Sequence, residues 1–287
     1  MKLIRSIIVF VLSFVYIQGG YAQISLAPNH EDLNKFTVLD SAYIKCAYKL
    51  TYLRDSLKTN SPLTDSQMLL VGKIISKYYS QKKLDHNKFA EEELKRSPDG
   101  YTHFPDGVWS CELFKNYPQS KVTICDIGSV LHGNFVYEEE LPILDWKITN
   151  ENKTILSYNC RKATTSFRGR DYIAWFTSEI PISNGPWQFG GLPGLILKLY
   201  DTKENFVFEC TGIENLNNRK ETINYYLVDY TKLSRNDYRK IEKRFHDDWI
   251  KYEKLQGIPM IILVDPATKK ESQPASLKLP YNPIELE

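Results

Sequence analysis

Few residues in this 287-residue chain have the type and spacing to do chemistry. The five histidines are His30, His86, His103, His132 and His246, and none sits four residues from another on a helix. Glu242 and His246 share the i, i+4 spacing of one helix face, with Asp247 beside them. One histidine and one carboxylate supply too few ligands for a closed metal site, so this pair is expected to be a solvated, salt-bridged face. Glu91-Glu92-Glu93 points three ways from a helix and is expected to be solvated too. Cys160 stands beside Arg161-Lys162, whose charge would lower a thiol pKa and make a hydrolase nucleophile of it. As a strand cysteine it would instead be buried or disulfide-bonded, which is the preferred reading. Arg161, Lys162, Arg168 and Arg170 gather on one hairpin as a basic group able to meet an anionic partner, although Asp171 and Glu179 point to pairing within the chain. GxSxG, HExxH, Walker, GxGxxG and CxxC motifs are all missing. The sequence names no catalytic residue, metal site or cofactor.

The most specified stretch is 180–197, IPISNGPWQFGGLPGLIL. Pro193 presets φ for the second position of a turn and Gly194 supplies the positive φ of the third, so Leu192-Pro193-Gly194-Leu195 reads as a type II turn entering a buried strand. Gly190, Gly191 and Gly194 remove side chains while Trp187, Phe189, Leu192 and Leu195 crowd apolar bulk around the gap. The stretch is expected to be a structural corner. Its sharper reading is a groove for an apolar or peptidic ligand, lined by Trp187, Phe189, Gly191, Leu192, Pro193 and Gly194.

The elements that must hold these residues are mostly strands. Residues 40–56 alternate polar and apolar side chains with period two. Strands at 67–71 and 73–80 follow, then a polar excursion at 81–107 with a short helix over 87–96. Residues 108–114 and 121–127 form a hairpin; a loop centred near Pro118 makes facing positions sum to 236, which pairs Cys111 with Cys125 and makes a cross-strand disulfide available. Further strands are expected at 135–145, 154–166 after a turn at 150–152, 171–178 after the two-residue turn Arg168-Gly169, 195–200 with 206–213, and 221–229. One amphipathic helix is capped by Ser234 with Asp237, carries Tyr238, Ile241, Phe245, Trp249 and Tyr252 at helical spacing, and stops at Gly257 and Pro259. It is expected to cover one face or the open mouth of the sheet. A last apolar segment spans 259–264. Together these predict a mainly β chain: a curved antiparallel sheet or half-barrel with one C-terminal amphipathic helix and a small helical excursion.

Residues 1–22 carry Lys2 and Arg5, an apolar run at 7–17 and Gly20-Tyr21-Ala22, the layout of a secretory signal peptide cleaved before Gln23. No cysteine at that point offers a lipid anchor, and no second run is long enough to span a bilayer as a helix. The mature chain, 23–287, is read as a single β-rich domain at the periplasm or cell surface. Losing Lys2 and Arg5 leaves 35 basic against 35 acidic residues, a balance that gives nucleic acid no grip. Nineteen Tyr, 13 Phe and 5 Trp favour pleated, half-buried surface over helix.

The hexapeptide Gly191-Leu192-Pro193-Gly194-Leu195-Ile196 resembles, letter for letter, the signature of the GLPGLI family of secreted Bacteroidota proteins. The resemblance extends through Tyr158, Cys160, Lys162-Ala163, Phe167-Arg168-Gly169-Arg170, Ala174-Trp175, Ile180-Pro181 and Gly185-Pro186 to Tyr281-Asn282-Pro283-Ile284, over about half of the chain. It implies an exported β-rich protein and no assigned reaction. The functional expectation is a non-catalytic envelope protein that holds an apolar or peptidic ligand or docks on an outer-membrane partner. The alternative is an envelope hydrolase using Cys160 or an acid/His pair assembled in space.

Overall fold

The computed structural model describes residues 34–97, 106–216, 219–257, 263–264, 271–272 and 275–287. The expected signal peptide, His30, His103 and most of the segment 259–264 lie outside them. Strand accounts for 46% of the chain and helix for 15%, in one large open sheet, as the aromatic-rich composition led one to expect. The spine is β1 (Phe36–Tyr52), which pairs with β2 (Leu63–Gly72) on one side and with β11 (Phe206–Asn215) and β12 (Glu221–Tyr226) in succession on the other. From β2 the sheet continues through β3 (Ser76–Ser80), β4 (Cys111–Lys115), β5 (Lys121–Asp126), β6 (Phe135–Glu140) and the short parallel β13 (Thr231–Lys232). From β11 it runs through β10 (Leu195–Asp201), β9 (Arg170–Thr177), β8 (Tyr158–Phe167) and the edge strand β7 (Lys147–Ile155).

This order forces the sheet to curl. β6 and β7 lie ten strand spacings apart, about 48 Å if the sheet were flat. Residues 141–146 connect them, a reach of at most about 25 Å. The two ends must therefore approach, and side chains record it: Arg168, in the turn between β8 and β9, donates to Glu139 of β6 at 2.5 Å. Alternation along the strands then separates two cores. The inner one holds Tyr48, Leu113, Ile124, Phe176, Phe189 and Leu199, with α2 (Arg235–Asp247) and α3 (Trp249–Leu255) packed over it. The outer one holds Leu70, Tyr79, Phe114, Cys125 and Ile223, beside Leu84 of α1 (Gln81–Arg96).

Several expectations need correction. β4 and β5 pair Cys111 with Asp126 and Glu112 with Cys125, one residue away from the expected register. Because side chains alternate faces, the slip puts Cys111 in the inner core and Cys125 in the outer one, and all five cysteines are free thiols. α1 begins at Gln81, six residues before the expected start; Ser80 caps it by accepting from the Lys83 amide at 3.1 Å. The expected turn at 150–152 lies within β7, on an exposed edge where the register shifts between Ile148 and Asn152. The chain actually turns at Leu156-Ser157, both at positive φ (49° and 70°). Arg168-Gly169 repeats that geometry at 48° and 79°, as its sequence suggests. The single expected helix is two: Asp248 ends α2 and caps α3 by accepting from the Lys251 amide at 3.2 Å, while Ser234 caps α2 as expected. The corner is not a type II turn, since Gly194 donates to Leu192 O, two residues back, at 2.8 Å.

Candidate functional site

The motif residues meet, but inside the protein. Of the six residues read as a groove, Trp187, Phe189, Leu192 and Gly194 are buried, and Gly191 and Pro193 reach the surface. Phe189 packs at 4.6 Å on the Tyr172 ring, and Trp187 donates to Glu285 at 3.2 Å. The corner is anchored from across the sheet by Lys115 of β4, whose ammonium donates to Asn184 Oδ1 at 2.9 Å, Gly185 O at 2.8 Å and Phe189 O at 2.6 Å. Burial pushes that lysine down to about 7. The aromatic side chains read as a ligand groove are thus the packing of this lock.

The basic group does not form a patch. Arg170 is buried against Asp201, Asn282 Oδ1 and the carbonyls of Pro283 and Ile284, so the Phe167–Arg170 run captures the C-terminal Tyr281–Ile284 motif. Arg168 lies between Glu139 and Glu285, and Arg235 of α2 reaches Glu285 at 2.7 Å. Arg161 is exposed, and Lys162 pairs with Glu151 at 2.8 Å. Each charge has been matched within the chain or dispersed on its surface. Cys160 is fully buried and burial pushes its thiol up to about 11, opposite to the shift a nucleophile needs.

Glu242 and His246 are half-buried and no salt-bridged surface face. Tyr281 donates to Glu242 at 3.4 Å, and its ring lies 4.7 Å from that of His246. Burial, with Asp126 nearby, raises Glu242 to about 7, and burial lowers His246 to about 4, so the imidazole is neutral at pH 7. Of the Glu91–Glu93 run, Glu91 pairs with Lys95 and Glu93 with Arg96. Among the described residues no cluster of three or more His, Cys, Asp and Glu side chains could hold a metal.

An open cavity of about 680 Å³ lies elsewhere, between α2, α3 and the loop 127–134. Leu131, Phe135, Ile241, Tyr252 and Leu255 give it apolar walls, and Arg244, Asp247, Asp248 and Lys251 stand around it. The wall is built on a buried charge. Glu253, wholly shielded from solvent, has its carboxylate 2.9 and 3.0 Å from His132 Nε2 and accepts from Trp249 Nε1 at 2.8 Å. His132 Nε2 and Trp249 Nε1 converge on this one carboxyl group, which sets the orientation of the imidazole ring. His132 sits at φ 57°, a left-handed position whose amide N–H donates a hydrogen bond to Ser129 O at 3.2 Å, and Tyr252 Oη ties α3 to the same loop by donating to Leu131 O at 2.7 Å. Volume and lining suit a small amphipathic molecule. Sequence reading left 127–134 without a role and passed over Glu253; its one local signal was the i, i+4 spacing from Trp249.

A family model described as "Protein of unknown function (Porph_ging)" matches residues 168–198, which include the Arg168–Arg170 turn and the 191–196 hexapeptide. No curated protein matches the chain. Two crystal structures of PNGF-II, in space groups P21 and C2, are similar at 16% identity with TM-scores of 0.47 and 0.46. Each match covers 72% of this chain and 34% of the other, so the chain spans about a third of that protein's length. Likeness at that level carries no function across. The match to a family therefore falls on the turn and corner that lock the curled sheet, and the cavity is built from residues outside it.

Proposed function

We propose that the protein is an exported, non-catalytic binding protein of the cell envelope whose mature chain begins at Gln23, and that it holds a small apolar or peptidic ligand in the cavity between α2, α3 and the 127–134 loop. The observation that carries this reading is the cavity itself: about 680 Å³ with apolar walls. Among the described residues no helix is long and apolar enough to cross a membrane. Docking on an outer-membrane partner by strand addition would use β7, but that edge carries Lys147, Glu151 and Lys153 and a register shift, features that discourage pairing.

N-phenyl-1-naphthylamine, an uncharged dye that brightens in apolar surroundings, tests the site. The native protein should enhance its fluorescence, and Ile241→Trp, which fills the cavity, should abolish the enhancement without lowering the melting temperature. No enhancement, or one indifferent to Ile241→Trp, sinks the reading.

One observation favours the enzyme alternative. His132 and Glu253 are an acid/His pair assembled in space on a cavity wall, an arrangement that in a hydrolase would orient a general base. Among the described residues no hydroxyl or thiol is hydrogen-bonded to His132, so such a base would have to act on water. Hydrolysis of p-nitrophenyl esters that disappears in His132→Gln would turn the proposal toward that reading.

A further inference from the structure

We infer that the cavity is selective for amphiphiles with a carboxylate head, seated on Arg244 with the tail against the apolar walls; this rests on the cavity being the ligand site. The charges around the cavity are not equivalent. Asp248 is already committed: it accepts from the Lys251 and Leu277 amides at 3.2 and 3.4 Å and from the Ser276 side chain, which with Lys251 holds its carboxyl below the usual range despite burial. Asp247, exposed at the same cavity, has no hydrogen-bond or ion-pair partner among the described residues. Arg244, exposed, has no side-chain partner among the described residues and brings a planar fork of five N–H donors to the cavity lining. Lys251, on the next helix, forms no ion pair within 4 Å among the described residues, and its charge acts on Asp248.

Lys251 acts on Asp248, which leaves Arg244 as the cation offered to a ligand head, with Asp247 beside it. A guanidinium fork matches two coplanar oxygens better than a tetrahedral or bulky head, because both N–H···O bonds form without distortion. A second negative charge on the head would meet Asp247 uncompensated. His132 presents its remaining ring nitrogen, Nδ1, which has no partner among the described residues and offers a further polar contact. The apolar walls exclude a wholly polar anion as the natural occupant, since it would strip water from a head with nothing to bury in exchange.

Three decyl probes with one tail and different heads test this: decanoate, decyl maltoside and decyltrimethylammonium, each below its micelle concentration, followed by calorimetry. Decanoate should bind about tenfold or more tighter than either of the others, the worth of one charge-assisted bidentate contact. Arg244→Gln should remove that margin and leave decyl maltoside unchanged, while Arg244→Lys should restore only part of it. Arg244 is exposed and has no side-chain partner among the described residues, so the variants should melt with the native protein. Equal affinity for the three heads, or a decanoate affinity indifferent to Arg244→Gln, overturns the carboxylate inference and leaves the ligand site standing. Failure of all three probes and of the uncharged dye removes both.

Discussion

Gly194→Ala is the sharpest test of the lock that closes the sheet. A Cβ at this position would lie 2.0 Å from Thr177 O, 2.6 Å from Thr177 C and 3.0 Å from Ser178 N, all backbone atoms of the strand end beside it. Ordinary contact begins near 3.4 Å, so one backbone must move by more than about 1 Å. Neither can move freely, because Leu195 pairs with Thr177 at the junction of β10 and β9. Opening that junction forfeits one or two backbone hydrogen bonds at about 1 kcal/mol each, and the φ of +153° adds about 1–3 kcal/mol of strain for any side chain. Against this, the stiffer unfolded chain returns about 0.4–1 kcal/mol. The middle of these ranges gives a net loss of about 3 kcal/mol, or about 6–12 °C in melting temperature for a chain of this size. Gly191→Ala is the control. Its φ is also positive, +87°, but the nearest atoms to a new Cβ are those of the Trp146 ring at 3.7 and 3.8 Å, so only the conformational cost of about 1 kcal/mol remains. Circular dichroism melts of the two purified variants decide the matter. A Gly194→Ala protein that melts with the native one, or a Gly191→Ala protein that loses as much, would refute the argument that the close approach of the corner to β9 organises the sheet.

The remaining predictions concern buried titratable groups. Lys115 titrates near 7 in the fold and near 10.5 when unfolded, so the unfolded chain binds the extra proton between those values and stability should rise with pH across that window, by about 1 kcal/mol per unit. Urea melts at pH 7.5 and 9 should show Lys115→Met lacking this slope, and parallel slopes would contradict it. Glu242 runs the other way: raised to about 7, its carboxylate form is disfavoured by folding, so stability is lost as pH climbs from 4.5 through 7. Glu242→Gln should be more stable than the native protein by about 3 kcal/mol at pH 8, with the margin vanishing below pH 4.5. All five cysteines are buried and free, so Ellman's reagent should label none rapidly in the native protein and all five once it is unfolded, with no reductant needed. A mapped Cys111–Cys125 bond would overturn the register of β4 on β5.

Legibility in the sequence followed the range of the interactions. The Ser234 cap and the Arg168-Gly169 turn are decided by atoms a few residues apart, and both read true. So did the alternation along β1, because a strand with one face inward must repeat every second residue. Leu156-Ser157 was missed because neither residue advertises a turn; the pairing of β7 with β8 imposes it. Cys111 and Cys125 show how little separates a right hairpin from a wrong pairing, since one step of register changes the face of every side chain.

What only the tertiary structure decided is where charge lies relative to solvent. Arg168 and Arg170 read as a basic surface on one hairpin, yet curling carries β6 and the C-terminal segment over them, and Glu139, Glu285 and Asp201 arrive from elsewhere in the chain. Lys115 and Glu253 are ordinary charged residues in a linear sequence, and their burial depends on the corner folding over β4 and on the 127–134 loop lying against α3. The cavity is of the same kind, since its walls come from segments about a hundred residues apart. Composition and periodicity determined that this chain would build a large, mainly β sheet with an amphipathic helix packed on it, because those follow from how each residue meets its near neighbours. Which side chains were sealed within the sheet and which were left around an open space followed from long-range closure, which no local pattern encodes.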